Sequence, residues 1–350
     1  MYKLIRPLLF IPNPEFTHNL VLEFGKIVQN INLPYHDDTR LHTEVFGLSF
    51  RNPVGLAAGF DKNAELMNLF YSLGFGFVEV GSVTANSSEG NKKPRLFRLS
   101  KDQALVNRLG LNSRGADKVY QNLQVQAKFP VGINIAKTND KKISGDEAVK
   151  DYLHTFATLS PLASYVTLNI SCPNTEDGRT FEDPKTLDSL LLEIRRFTCV
   201  NVPVLVKLSP DLSEESLTKI IEVCDLYNID GYVVANTSSR RENLLSGTEE
   251  ISSVGLGGLS GKPIQRKSTQ TIKFVHRLTH GKVPIIGVGG IDSAESAYEK
   301  IKAGASLIQL YTGLIYQGPM LARRINKGLV YLLERDGLNS ISKAVGVENI

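Results

Sequence analysis

VLVKLSPDLSEESLTKIIEVCDLYNIDGYVVA, residues 204–235, carries a strand, a helix and a second strand, and its repetition decides the fold. Val204–Leu208 reads as a short apolar strand, Glu214–Tyr227 as a helix and Gly231–Ala235 as the next strand. The alternation continues in both directions. Further strands are expected at Pro53–Ala58, Phe77–Val80, Val131–Ile135, Val166–Ile170, Val283–Val288 and Ser306–Leu310. Helical patterns fall between them at Ala64–Leu73, Ala116–Gln126, Gly145–Ser160, Pro184–Phe197, Lys267–Leu278 and Ser293–Ala303, and Pro319–Glu334 follows the last strand. Eight strands with intervening helices predict an α/β fold, the (β/α)8 TIM barrel. A doubly wound sheet would carry Gly-x-Gly-x-x-Gly after an early strand, and Gly55 and Gly59 do not form one. Two connections are long. Asn86–Ser113 includes the alternating Pro94–Leu99, a candidate hairpin over a barrel mouth, and Ser238–Gly261 is polar and glycine-rich, a candidate mobile lid.

Residues 1–44 differ from the barrel at 45–350. Pro14 opens a helix in which Phe16, Leu20, Phe24, Ile27 and Ile31 recur at steps of three and four, opposite Glu15, Asn19, Glu23, Lys26 and Gln29. A shorter apolar piece, Leu4–Ile11, precedes it. The pattern fits a helical cap packed on the barrel. It also fits two helices that lie in a membrane interface or form an apolar tunnel.

At 42% hydrophobic and 22% charged, the 350 residues suit one large globular core. The net charge of +4 is mild and dispersed, which points away from nucleic acid. Three cysteines without a CxxC pair argue against a disulfide scaffold, and of the six histidines His276 and His280, four apart before Gly281, read as a polar helix terminus rather than metal ligands. No run of about 20 apolar residues is present, so no transmembrane helix is expected.

Barrels carry their sites at the C-terminal ends of the strands. In order these ends are Ala58-Gly59-Phe60-Asp61-Lys62; Gly81-Ser82; Asn134; Asn169 with Cys172 and Asn174; Lys207; Asn236-Thr237; Gly289-Gly290; and Tyr311-Thr312-Gly313. Nearly all are small, amide, hydroxyl or cationic, which favours a binding mouth. The glycine turns after strands seven and eight occupy the usual phosphate position, and Gly257–Gly261 is placed to add to it. Lys207 closes an apolar strand, where it faces either solvent or a ligand; beside a flavin it would stabilise developing negative charge. Asn107, Asn169, Asn174 and Asn236 offer the mixed donors and acceptors that a cyclic imide ring needs. Lys62 suits an acid group. Cys172 is a candidate proton acceptor or a small buried thiol.

Together, Asn52–Lys62, Lys93–Arg98, Asn107–Gly110, Asn169–Thr175, Gly257–Pro263 and Gly287–Ile291 resemble the dihydroorotate dehydrogenase family over nearly the whole chain. The stretch Pro14–His18 is similar to the membrane-associated, quinone-using class, in which two N-terminal helices lead quinone to the flavin. The resemblance implies FMN, with contacts on Ala58, Gly59, Lys62, Ser82, Asn134, Asn169, Lys207, Ala235, Gly261, Gly290, Tyr311 and Thr312. It implies dihydroorotate contacts on Lys62, Asn107, Arg108, Leu109, Gly110, Leu111, Asn169, Asn174, Asn236 and Thr237, and Cys172 as the base.

Three positions depart from the quinone class. Cys172 stands where serine is usual, as in the soluble class; Leu111 replaces phenylalanine and Ala235 replaces threonine, while Thr175 is kept. The amphipathic extension favours quinone as electron acceptor, and Cys172 favours fumarate or NAD. A related flavin barrel acting on dihydropyrimidines or dihydrouridine, and a non-catalytic barrel that binds a phosphorylated ligand, are the other readings. Expected partners are dihydroorotate and orotate, a quinone and a membrane surface, with no metal. A monomer or weak homodimer on the cytoplasmic face of a bacterial inner membrane, as a peripheral membrane protein, is expected.

Overall fold

A computed structural model describes residues 2–29, 33–124, 127–171, 181–197 and 201–349. Eight parallel strands close into a barrel: Val54–Leu56, Phe77–Val83, Val131–Ile135, Tyr165–Leu168, Val204–Leu208, Gly231–Val234, Ile285–Val288 and Leu307–Leu310. The last pairs with the first, Ile308 beside Val54 and Leu310 beside Leu56, which leaves no sheet edge. Each strand is a short apolar run because both faces are covered, one by the barrel interior and one by helices. The expected TIM barrel is therefore present, with helices Tyr2–Phe10 (α1) and Pro14–Val28 (α2) ahead of it.

Two further sheets close the ends. The hairpin Thr43–Val45/Leu48–Phe50 plugs the N-terminal end, where Phe50 meets Phe77 edge-on at 5.3 Å. Over the C-terminal mouth, Leu96–Leu99 and Ala104–Asn107 form the expected hairpin. A third strand, Gly258–Gly261, pairs with it, Gly258 opposite Asn107. The stretch expected as a mobile lid thus ends in a strand, and it also contains a helix, Thr248–Val254.

The N-terminal helices sit differently from a packed cap. Phe16, Leu20, Phe24 and Ile27 are 60%, 52%, 62% and 78% exposed, and Leu4, Leu8 and Ile11 are also exposed. The apolar stripe faces away from the barrel; Ile31 lies outside the described residues. Polar groups hold the helices instead. Arg98 donates to the carbonyls of Phe10 (3.0 Å) and Pro12 (2.9 Å) and to Thr17 Oγ1 (3.1 Å), which neutralises the carboxyl end of α1. Tyr2 Oη donates to the Ile315 carbonyl at 2.6 Å. Gly25 lets α2 lie close against the barrel: a Cβ there would stand 2.9 Å from Leu66.

Candidate functional site

The C-terminal mouth opens into a pocket of about 1130 Å³, open entrance included. The first strand leads into Ala57, Ala58 and Gly59, and Lys62 follows in the same loop; the second strand supplies Ser82. Asn169 follows the fourth strand, Lys207 lies in the fifth, and Ala235, Asn236 and Thr237 follow the sixth. Gly289 and Gly290, then Tyr311 and Thr312, close the ring, and Gly261 comes from the lid strand. Asn107, Leu109, Gly110 and Leu111 line the hairpin side.

Two expected residues do not line this wall. Asn134 is fully buried behind Ser82, whose hydroxyl donates to Asn134 Oδ1. Arg108 turns outward, donating to the Val254 and Leu256 carbonyls with its guanidinium over the Phe97 ring. It fastens the lid to the hairpin. Cys172, Asn174 and Thr175 lie outside the described residues. Ser171, immediately before Cys172, accepts a hydrogen bond from Asn236 Nδ2 on its Oγ (2.9 Å).

Beneath the pocket floor lies a group that the sequence reading missed. Glu79 is fully buried in the barrel interior. It accepts from Asn134 Nδ2 (3.0 Å), Gln309 Nε2 (2.7 Å), Tyr165 Oη (3.1 Å) and Thr167 Oγ1 (3.3 Å). A carboxylate only accepts, so Asn134 must present its oxygen to Ser82, and Ser82 in turn accepts from Asn169 Nδ2 at 3.0 Å. Asn169 Oδ1 then accepts from Asn236 Nδ2 at 3.3 Å. The buried charge thereby orients the amides on the pocket wall. The available signal was a glutamate in the otherwise apolar Phe77–Val80.

The backbone N–H groups of Gly290, Ile291, Thr312 and Gly313 donate to no acceptor among the described residues. Gly289 and Gly290 have φ of 114° and 72°, the left-handed region where a side chain is strained. Four unclaimed donors in two adjoining turns suit a phosphate, and they border the pocket. The donor set thus fits FMN at the level of its phosphate.

A second cavity, about 1210 Å³ with its open entrance, lies between α2 and the barrel. Glu15, His18, Asn19 and Leu22 of α2 line one side, Phe60 and Arg95 the other. Gly59, Lys62, Leu96, Leu109, Asn112 and Tyr311 border both cavities. His18 packs edge-on to Phe60 at 5.0 Å, and Phe60 packs on Tyr311 at 5.6 Å. Burial, reinforced by Lys62, lowers the His18 pKa to about 4 against the opposing pull of Glu15 and the Phe60 backbone, so the ring is neutral at pH 7. Burial pushes the Tyr311 phenol up to about 12. No cluster of metal ligands occurs among the described residues.

Fold and site define a (β/α)8 barrel protein with its ligand pocket at the C-terminal mouth and a second chamber under an N-terminal helix. The family model for dihydroorotate dehydrogenase matches residues 40–333, and the chain belongs to that family. A Natronomonas pharaonis protein named dihydroorotate dehydrogenase (quinone) is 45% identical over an alignment 359 positions long, covering 99% of each chain. One of the same name from Trichodesmium erythraeum is 41% identical, covering 96% of this chain and 95% of its own. Among solved structures, the Eimeria tenella dihydroorotate dehydrogenase in complex with ferulenol superposes with a TM-score of 0.89 at 34% identity, covering 98% of both chains.

Proposed function

We propose that this protein oxidises (S)-dihydroorotate to orotate in pyrimidine (UMP) biosynthesis, with FMN in the mouth pocket and a quinone as the final electron acceptor. The observation that carries the reading is the shared wall of the two cavities. One cavity has the amides and unclaimed N–H groups that a flavin and an imide ring require. The other begins at Tyr311 and opens under α2, whose outer face is apolar. Apolar Leu22, Phe60, Leu96 and Leu109 share that chamber with charged Glu15, Lys62 and Arg95, so the apolar outer face of α2, rather than the chamber's lining, is what favours an apolar acceptor.

When bound, FMN supplies the hydride acceptor for the hydrogen leaving C6. The remaining work belongs to the chain. Lys62 meets the substrate carboxylate. Asn107, Asn169, Asn174 and Asn236 match the ring N–H and C=O groups without adding charge. Cys172 takes the C5 proton: a free thiol titrates near ~8.5, so a few per cent is thiolate at neutral pH, far more than a serine hydroxyl provides. Lys207 stabilises negative charge on the flavin ring. Leu4, Leu8, Ile11, Phe16, Leu20, Phe24 and Ile27 form the face that rests on a membrane, which makes the protein peripheral; no described helix is long and apolar enough to cross one.

Cys172 favours a second reading, the fumarate- or NAD-linked type. Anaerobic stopped-flow spectroscopy separates the two. Dihydroorotate should bleach the flavin, and a soluble quinone should restore its colour faster than fumarate or NAD does. Recolouring by fumarate or NAD alone overturns the quinone assignment, and no bleaching overturns the substrate.

A further inference from the structure

A lysine is buried behind the glycine turn of the seventh strand. Lys300, in the helix Ala294–Lys302, has no exposed surface. Its ammonium donates to Ser268 Oγ (3.1 Å), Thr269 Oγ1 (3.1 Å) and the Gln265 carbonyl (3.3 Å). All three belong to the helix Gln265–Leu278 and are uncharged. Burial lowers the lysine pKa to about 7, with Glu299 pulling the other way. A pKa near neutrality leaves the amine only partly protonated at pH 7, and an anion nearby would favour its charged form.

The acceptors of Lys300 are also the residues on which the turn rests. Ser268 Oγ donates to the carbonyl of Val288, the last residue of the strand and part of the pocket wall. A Cβ on Gly290 would stand 2.5 Å from Gln265 Cα, and one on Gly289 would stand 3.3 Å from Ser268 Oγ. The turn therefore lies between two features: unclaimed N–H donors at Gly290 and Ile291, and a buried ammonium held by the helix that supports it from behind.

We propose that Lys300 is a positioning residue and buried counter-charge for the phosphate end of the cofactor, selecting phosphorylated over unphosphorylated flavin without touching it. This rests on the assignment of FMN to the mouth pocket. An anion seated on the turn is attracted by the ammonium through a low-dielectric layer, where a single charge is weakly screened. A flavin lacking the phosphate gains nothing from it. A lysine that merely filled space between two helices would affect both flavins alike.

The test uses the full chain, freed of bound flavin and titrated with FMN and with riboflavin by fluorescence quenching. Lys300→Met should raise the Kd for FMN at least about tenfold and leave that for riboflavin within about twofold. Equal weakening of both flavins, or unchanged FMN affinity, overturns the proposal. Should the methionine variant not fold, Lys300→Gln keeps a donor and similar volume without charge, and the same ratio decides. If the unaltered protein binds neither flavin, the FMN assignment itself fails, an outcome distinct from loss of selectivity.

Discussion

Arg95 of the mouth hairpin grips Glu15 of α2 with two nitrogens, Nη2 to Oε1 at 2.7 Å and Nε to both oxygens at 3.1 and 3.2 Å. Both side chains are nearly buried, 7% and 12% exposed. The pair ties the start of α2 to the hairpin side of the second cavity, which both residues line. Charge-assisted bonds of this kind contribute about 1.5–3 kcal/mol. Glu15→Gln should therefore raise the KM for a short-chain quinone roughly tenfold while leaving the rate of flavin reduction by dihydroorotate unchanged. Steady-state and stopped-flow kinetics on the same preparation measure the two effects separately.

His18 lies in the same cavity and supplies a pH signature. Its folded pKa of about 4 is below the ordinary 6.5, so between these values the unfolded chain binds the proton first. The stability it contributes is complete above pH 6.5 and is lost as pH falls toward 4. At pH 5 the loss is at most about 2 kcal/mol. Urea unfolding at pH 7 and pH 5 should show a smaller drop for His18→Gln than for the unaltered protein. Equal drops would mean that the ring is not held neutral.

The barrel is legible in the sequence because each strand is covered on both faces and so appears as a compact apolar run. Val131–Ile135 and Val204–Leu208 coincide with the folded strands to the residue. Polar interruptions in such runs mark the interior: Lys207 and Glu79 both stand in apolar strands, and both are buried. The periodicity of α2 shows that one face is apolar but not what covers it, and that face points outward. Gly258–Gly261 looks like loop because its partner, Ala104–Asn107, is some 150 residues away, and local pattern carries no trace of that pairing. Arg108 looks like a ligand contact in sequence, yet its length carries the charge to the lid carbonyls.

Glu79 admits a graded test. Gln309 Oε1 is buried with no partner among the described residues. In Glu79→Gln the Gln309 amide can turn over and accept from the new side-chain N–H, so the chain through Asn134 and Ser82 survives. Stability should change by less than about 1.5 kcal/mol, the scale of one hydrogen bond. Glu79→Ala leaves the donors of Asn134, Gln309, Tyr165 and Thr167 without their acceptor, at about 1–3 kcal/mol for each donor left unpaired. Thermal melts should separate the two variants by roughly 4–15 °C, taking about 1–2 °C per kcal/mol for a chain of this size.

Asp211 is where the lid is tied down. Its carboxylate accepts from Ser238 Oγ (2.7 Å), from Ser239 N and Oγ (2.6 and 2.8 Å) and from Lys267 Nζ (2.6 Å). Partial burial works against ionisation here, but Lys267 and the two serines outweigh it and hold the pKa at about 2. The tether is therefore intact above the ordinary 3.8 and is lost only as pH falls from there toward 2. Farther along, Asp102 accepts the N–H groups of Leu245 (2.5 Å) and Ser246 (3.1 Å), a second anchor that Asp211 does not control. Asp211→Ala should therefore free the segment between them, residues 239–244, and spare the strand Gly258–Gly261. Limited trypsin digestion should then cut after Arg240 or Arg241 several-fold faster than in the unaltered protein, while flavin binding persists. Cleavage at an unchanged rate would show that Asp211 does not hold residues 239–244 in place.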